Sequence, residues 1–392
     1  MPSAFPSAVL GSGRPVTLRG AGHSCDGQTV TDSELLVTYA PDAAVRQVRD
    51  LDDGLIEVPA GMSWYGLERY LNRSGRAAPV LPNYLHMSVG GTLSVGGAGI
   101  DSVRSGMQVD HVERIQLIDG TGISRWCSRT DHPELFRFAL GGLGTVGLIE
   151  RAVLRTVPIC QDTHMHRADH ATLAELVEHA EQIAQRDDVD IYSASMRRGR
   201  LSSIVGRRGN GLRRCGEENC MIVSDPIRGR ISHLRDVAAQ FSDRVRLWTD
   251  YIVPVEQFAP MVATVETLLH RAPLNGVDPM LYILIVRRAL DAPSFAFAPV
   301  RTAPVSIVVG LYTWGDRDPD VISATRHIFR DLLERCCELG GRPYLYGVTD
   351  LDTPLAERLY GTDLDRLAQL RSEHRLEHVN AHLPLVRAAT RT

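Results

Sequence analysis

The chain has 392 residues, of which 44% are hydrophobic and 23% are charged. This composition is typical of a globular protein with enough apolar residues for two domains, each with its own core. The formal net charge of -4 gives no electrostatic argument for binding nucleic acid or membranes. The chain contains arginine but no lysine, which excludes a Schiff-base mechanism and a lysine base.

The cysteines are seven in number and include no CxxC pair. An odd number in this arrangement argues for a reducing compartment and against a disulfide framework or a zinc site. The N-terminal residues lack the pattern of a signal peptide, and no run approaches the roughly 18 apolar residues that a membrane helix needs. We therefore expect a cytoplasmic protein without a metal site, and the sequence leaves its oligomeric state open.

Residues 15–158 alternate short β-rich runs with glycine-rich turns. A helix is predicted from the spacing after Ser63, which is a suitable N-cap, and it stops at Gly75. Another helix is predicted with Asp131 as its cap and Pro133 in its first turn. The predicted strands lie at residues 16–18, 34–38, 55–58 and 113–118.

The pattern changes near residue 159, where longer helices alternate with strands. Helices are predicted at 171–186, 255–271 and 318–339, and strands at 190–196, 201–206, 280–286 and 304–311. A charged helix is predicted near the C-terminus, at 364–377. The pattern predicts an α+β fold in which helices cover one face of a sheet. We divide the chain into residues 1–158, 159–340 and 341–392, the last segment returning to the first.

The segment Arg19-Gly-Ala-Gly-His-Ser-Cys-Asp-Gly directly follows the first predicted strand. Its small residues let the backbone approach a ligand closely. Consecutive N–H groups in such a loop form a concave anion site that suits a pyrophosphate. The segment is not GxGxxG, and a β-like run follows it instead of a helix. Taken alone, the loop is more simply explained as a plain tight turn.

Two further segments are dense in glycine. Residues 88–100 read Ser-Val-Gly-Gly-Thr-Leu-Ser-Val-Gly-Gly-Ala-Gly-Ile, and residues 141–149 read Gly-Gly-Leu-Gly-Thr-Val-Gly-Leu-Ile. Glycines that alternate with small or β-branched residues are typical of backbone lying flat against a bulky group. One long dinucleotide lying across all three loops explains them together, which turn geometry alone does not.

These segments resemble the motifs of one family. The segment from Arg19 resembles the RGxGHS motif of FAD-linked oxidases with the vanillyl-alcohol oxidase fold. The segment from Val89 resembles the VGGTLSxxG region of cytokinin dehydrogenases and their bacterial relatives, and residues 133–149 resemble their PELFxxxLGGLGxxGxI block. The resemblance implies a PCMH-type FAD-binding domain, followed by an α+β substrate domain with an antiparallel sheet covered by helices.

The resemblance also implies which residues contact FAD. His23 stands where the family attaches the flavin covalently, and residues 79–89 lack the cysteine that serves some relatives as a second anchor. The first loop would hold the pyrophosphate through Arg19, Gly20, Ala21, Gly22, His23 and Ser24. The other implied contacts are Gly90, Gly91, Thr92, Ser94, Gly96, Gly97, Ile100, Gly144 and Ile149, with Asn380 approaching the flavin edge from the C-terminal segment.

Two features depart from the family. Asn83 stands where cytokinin dehydrogenases have the aspartate that accepts the substrate proton, and an amide cannot act as a general base. Cytokinin is therefore not the expected substrate. Only 18 residues precede Arg19, fewer than the strand–helix–strand unit that the family has there. Either the start of the sequence is misplaced or truncated, or FAD binding is weakened or lost.

The sequence thus favours an FAD-dependent oxidoreductase that oxidises a C–H bond next to N or O in a small molecule. Tyr84, beside Asn83, is the candidate for proton handling, with simple core packing as the other reading. The arginine-only, alanine-rich composition suggests a bacterial biosynthetic role, such as antibiotic biosynthesis. A redox-neutral cyclase or isomerase on the same scaffold, and a non-catalytic binding protein, stay open as alternatives.

Overall fold

The computed structural model describes residues 4–30, 35–38, 47–212, 219–231, 244–277, 279–300 and 303–390. These residues form an α+β structure with a five-stranded and an eight-stranded sheet. All neighbouring strands within the two large sheets are antiparallel. The predicted fold class is confirmed.

The N-terminal part is built on short strands. β1 (Val16–Arg19) and β2 (Leu35–Thr38) form a parallel pair, which confirms that a strand follows the first glycine loop. The five-stranded sheet has the spatial order β3-β4-β8-β6-β7. The strands after β2 are β3 (Arg49–Asp50), β4 (Leu55–Pro59), β5 (Arg76–Ala77), β6 (Val112–Ile118), β7 (Ser124–Ser128), β8 (Leu148–Arg155) and β9 (Val157–Pro158), of which β5 and β9 pair with each other.

Short helices connect these strands: α1 (Ala4–Leu10), α2 (Trp64–Asn72), α3 (Val89–Leu93), α4 (Ser102–Ser105) and α5 (Pro133–Ala139). The Ser63 side chain caps α2 by accepting from the Gly66 N–H at 3.1 Å, as predicted. The prediction of Asp131 as the cap of α5 is wrong. Pro133 takes the first helical position, so His132 is the N-cap, and Asp131 instead closes the preceding turn with Ser128.

The eight-stranded sheet has the order β13-β10-β12-β11-β15-β16-β14-β17. The helices α6 (Leu173–Ala184), α7 (Phe258–Leu269) and α8 (Pro319–Glu338) pack against it, close to their predicted bounds. The strands are β10 (Asp162–His170), β11 (Ile191–Arg197), β12 (Arg200–Gly209), β13 (Cys220–Val223), β14 (Val245–Pro254), β15 (Met280–Arg287), β16 (Val305–Gly315) and β17 (Arg342–Pro343).

The C-terminal segment contains α9 (Thr353–Tyr360), α10 (Thr362–Glu373) and α11 (Pro384–Ala389). Between α10 and α11 the backbone runs beside β1. The Val16 N–H donates to the His378 carbonyl at 2.8 Å, and the Asn380 N–H donates to the Val16 carbonyl at 2.8 Å. The strand that precedes the first glycine loop is therefore held by the end of the chain.

Five cysteines are free thiols in the described part of the chain, whereas Cys220 is disulfide-bonded. The odd number of cysteines argued against a disulfide framework, but it does not exclude a single disulfide, and Cys220 takes part in one. None of the described helices combines the length and the apolar composition needed to cross a bilayer.

A buried ionic cluster connects the eight-stranded sheet region to the N-terminal part. Arg230, in the turn after β13, is 2% exposed. Its guanidinium lies 2.8 Å from the carboxylate of Glu68 on α2 and 3.3 Å from that of Asp101, and both acids are fully buried. Because a buried charge is costly without a partner, the three side chains stabilise the fold only as a set.

We expect Arg230→Met to lower the free energy of unfolding by about 3–5 kcal/mol, since it leaves the buried Glu68 carboxylate without its cation and Asp101 with Arg208 as its remaining cation. Urea denaturation measures the loss. Arg228→Ala is the matched control, because Arg228 is exposed and its ion pair with Asp225 spans 3.8 Å at the surface. Equal stability of the two variants would contradict the structural role of the cluster.

Candidate functional site

A cavity of about 710 Å³, the central cavity, lies between the N-terminal part and one face of the eight-stranded sheet. Residues from all three glycine-dense segments line it, within 19–24, 88–98 and 143–149. Its size falls in the range of about 300–1,000 Å³ that is usual for ligand pockets. The three loops, which are far apart in sequence, therefore meet around one space.

The first two loops approach each other through their backbones. A Cβ atom on Gly20 would lie 2.5 Å from the Ser88 Oγ and 3.2 Å from the Gly91 Cα. A Cβ on Gly91 would lie 2.8 Å from the same Ser88 Oγ. A Cβ at either position would displace the Ser88 hydroxyl, and a Cβ on Gly20 would also press on the Gly91 backbone, so glycine at position 20 allows this close approach.

The third loop is fastened to the second by two backbone hydrogen bonds. The Gly141 N–H donates to the Leu93 carbonyl at 2.8 Å, and the Leu143 N–H donates to the Ser94 carbonyl at 2.7 Å. Gly144 has a φ of +69°, a conformation that glycine adopts without strain. The loops thus form one continuous backbone surface along the cavity.

Asn380 connects the first loop to the third. Its Oδ1 accepts from the Leu18 N–H at 2.8 Å, and its Nδ2 donates to the carbonyls of Leu143 and Gly144 at 3.1 and 3.2 Å. The side chain is 1% exposed and does not line the central cavity. Asn380 therefore positions the loops from behind, whereas the sequence had suggested an approach to the flavin edge.

Most of the residues that the sequence predicted lie at the cavity wall. Gly96 and Ile100 lie outside this lining, although Gly97 and Ala98, between them in sequence, belong to it. Gly96 packs against Met107 and Pro299, and Ile100 is buried with its carbonyl accepting from the Tyr192 N–H. The predicted residues that line the cavity are Arg19, Gly20, Ala21, Gly22, His23, Ser24, Asn83, Tyr84, Gly90, Gly91, Thr92, Ser94, Gly97, Gly144 and Ile149.

His23 and Tyr84 are neighbours at this wall, with ring centroids 4.5 Å apart. Beside them, the Asn83 Nδ2 donates to the Tyr282 hydroxyl at 2.9 Å. The Asn83 Oδ1 and the Ser88 Oγ are buried and have no hydrogen-bond partner among the described residues. Two polar atoms of the cavity wall are thus available to a bound molecule.

The opposite wall is one face of the eight-stranded sheet. Successive side chains of a strand alternate between faces, so every second residue of β14, β15 and β16 reaches the cavity. On the other face, Tyr251 packs under α8, and its hydroxyl donates to the Phe329 carbonyl at 2.7 Å. The side chains of these three strands that line the cavity are Trp248, Asp250, Met280, Tyr282, Leu284, Val308, Tyr312 and Trp314.

Asp250 is the carboxylate of this wall and is 2% exposed. The Tyr312 hydroxyl donates to its Oδ1 at 2.9 Å, and the Tyr346 hydroxyl, from the C-terminal segment, donates to its Oδ2. Burial raises the pKa of Asp250, and the hydrogen bonds from the two hydroxyls lower it. Burial has the larger effect, so the pKa is raised to about 6. Gly310 lies across from Asp250 in the sheet, and a Cβ there would collide with Oδ1.

Asp250 was not predicted as a site residue, because β14, on which it lies, was not among the predicted strands. The signal is nevertheless present in residues 245–254, which read Val-Arg-Leu-Trp-Thr-Asp-Tyr-Ile-Val-Pro. β-branched and aromatic residues dominate this run, and Leu247, Thr249 and Tyr251 alternate with Trp248 and Asp250. This alternation is typical of a strand with one face in the core. Two charged residues within the run obscured it.

Comparison with known proteins agrees with the site geometry. Residues 8–128 match the family described as "FAD binding domain". An uncharacterized oxidoreductase, ORF5 in the fasciation locus of Rhodococcoides fascians, is 33% identical over 158 residues, which cover 40% of this chain and 35% of the relative. Cytokinin dehydrogenase 2 of Arabidopsis thaliana is 38% identical over 139 residues, which cover 35% of this chain and 27% of the relative.

The matched region spans about a third of the length of these curated relatives. It contains the first two glycine loops, which stand at one wall of the central cavity. The motifs, the fold and the matches agree. The similarity of residues 8–128 to the FAD binding domain family, and of the chain to these oxidoreductases, supports the placement among FAD-linked oxidases that the motifs imply.

Proposed function

We propose that this protein binds FAD along the three glycine loops and oxidises a small molecule at a C–H bond next to nitrogen or oxygen. One observation carries the proposal: the three loops and the Asp250 side of the sheet line the same cavity. A cofactor surface and an acid–base group thus face one space. The arginine-only composition is our reason to place the substrate in bacterial specialised metabolism.

The residues present fit FAD. Gly20 and Gly91 leave a surface of bare backbone, which a planar or phosphate-bearing ligand can approach more closely than side chains would allow. The unpartnered Asn83 Oδ1 and Ser88 Oγ offer hydrogen bonds at the same wall. When bound, FAD would supply the electron acceptor for hydride removal from the substrate.

Proton removal is the task of the protein. Asn83 occupies the family's position for the base but can only donate or accept hydrogen bonds. Asp250 faces the cavity from the opposite wall, and its pKa of about 6 leaves it ionised at neutral pH. A base of this strength is well matched to neutral conditions. We therefore assign proton acceptance to Asp250, with the hydroxyls of Tyr312 and Tyr346 orienting its carboxylate.

His23 is our proposed point of covalent flavin attachment. After acid precipitation, we expect the wild-type protein to give a yellow pellet and His23→Ala to release its flavin into the supernatant. His86→Ala is the matched control, because His86 lies on the neighbouring segment, 5.4 Å from Tyr84, but outside the cavity lining. Its pellet should stay yellow. The absorption spectra of pellet and supernatant measure both outcomes.

A yellow wild-type supernatant would contradict the covalent bond but support bound FAD. A colourless wild-type protein that cannot be reconstituted with FAD would contradict the proposed function. That result would favour a redox-neutral cyclase or isomerase in the same cavity.

Gly20→Ala tests the loop surface itself. The added Cβ meets the Ser88 Oγ at 2.5 Å and the Gly91 Cα at 3.2 Å, so the Ser88 side chain must rotate and the second loop must shift slightly. Overpacking of this kind costs about 1–3 kcal/mol, and we expect FAD affinity to fall by roughly 5- to 150-fold. Gly276→Ala is the control, since a Cβ there meets nothing within 4 Å. Both variants are made in a His23→Ala background, which prevents covalent attachment; fluorescence titration of apoprotein with FAD then gives the affinities, and equal affinities would refute the assigned surface.

A further inference from the structure

Among the described residues, no cationic side chain forms a hydrogen bond with the buried Asp250 carboxylate. Both of its hydrogen-bond donors in the described part of the chain are tyrosine hydroxyls, which are neutral. No arginine contributes to its pKa shift, which arises from burial and from these two hydroxyls. A buried carboxylate normally has a cationic partner, because desolvation of a lone charge is costly.

The nearest arginines on the same face of the sheet are engaged elsewhere. The Arg246 guanidinium stacks on Trp248 at 5.2 Å and opposes the rise in the pKa of Cys25, but it does not contribute to the pKa shift of Asp250. Arg197 stacks on Trp314 at 5.2 Å. The sheet register places Arg197 three strands away from β14, which corresponds to about 14 Å.

Aromatic rings surround the carboxylate instead. Tyr312 packs against Trp248 at 5.1 Å and against Tyr282 at 6.0 Å between ring centroids. Tyr346 packs against Tyr344 at 5.0 Å. The face of an aromatic ring attracts cations, and it does so most strongly where water is excluded. A carboxylate inside such a group of rings has the chemistry of an ammonium-binding site.

We propose that the substrate is a cationic amine whose ammonium group binds Asp250 from the cavity side, beside the Tyr312 and Tyr346 hydroxyls, which lie 3.5 Å apart. The inference rests on the proposed function. It narrows the atom next to the oxidised C–H bond from nitrogen or oxygen to a basic nitrogen. The ammonium N–H bond breaks and its proton forms an O–H bond with the Asp250 carboxylate. The freed nitrogen lone pair then forms a C=N bond as a hydride leaves the adjacent carbon for the flavin, giving an iminium product.

The test compares two probes of the same shape in the FAD-loaded protein at pH 7.5. Benzylamine is cationic at this pH and benzyl alcohol is neutral. Tryptophan fluorescence reports binding, because Trp248 and Trp314 line the cavity. We expect wild-type protein to bind benzylamine at least about tenfold more tightly than benzyl alcohol, as a desolvated cation site allows. Asp250→Asn should bring the two affinities within about twofold without weakening benzyl alcohol.

A second variant retains the charge but displaces it. Gly310→Ala places a Cβ against the Asp250 Oδ1, so the carboxylate must move, and we expect the preference for benzylamine to decrease. Equal wild-type affinity for the two probes would overturn the inference, as would an Asp250→Asn protein that keeps the preference. Tighter binding of benzoate than of benzylamine would also overturn it and would indicate an anion site. The flavin absorption of the same samples reports FAD binding separately, so a yellow protein without amine preference refutes only this inference.

Discussion

The structure depends on how closely three backbone loops approach one another. Gly20 and Gly91 are near enough that a single Cβ would collide with Ser88, and hydrogen bonds from Gly141 and Leu143 fasten the third loop to the second. This contact converts three turns, remote in sequence, into one continuous surface. Every other feature of the site is positioned relative to that surface.

The surrounding elements serve to hold the loops in register. Both polar atoms of the Asn380 side chain form hydrogen bonds with residues of the first and third loops or next to them. Asn380 lies more than 200 residues further along the chain than either loop. The buried Arg230 joins the turn after β13 to α2 through Glu68. Both contacts join residues that are far apart in sequence, so the cavity wall depends on tertiary structure from several parts of the chain.

The two walls of the cavity have opposite character. One wall is glycine backbone, which suits a large cofactor, and the other is an aromatic sheet face that carries Asp250. Asn83 lines the cavity but cannot act as a base, whereas the Asp250 carboxylate that we propose for this role lies on the sheet wall. Gly310 leaves space for the Asp250 carboxylate, which the Cβ of any other residue at that position would contact too closely.

Glycine spacing and motif order are local properties, and they identified three loops that meet at one wall of the cavity. They could not predict that Gly96 and Ile100 lie outside the lining, since that depends on tertiary contacts with Met107, Pro299 and Tyr192. Asp250 escaped prediction for a different reason: an isolated acid within an apolar run becomes notable only when Tyr312 and Tyr346 are brought to it by the fold. Motifs thus predict the cofactor, while the substrate side requires the structure.

A crystal structure of the purified protein with FAD tests the central claim most directly. The account predicts flavin density in the central cavity, in contact with the backbone of all three glycine loops and facing the sheet wall that holds Asp250. Flavin bound elsewhere, or a cavity closed by the protein's own side chains, would contradict it.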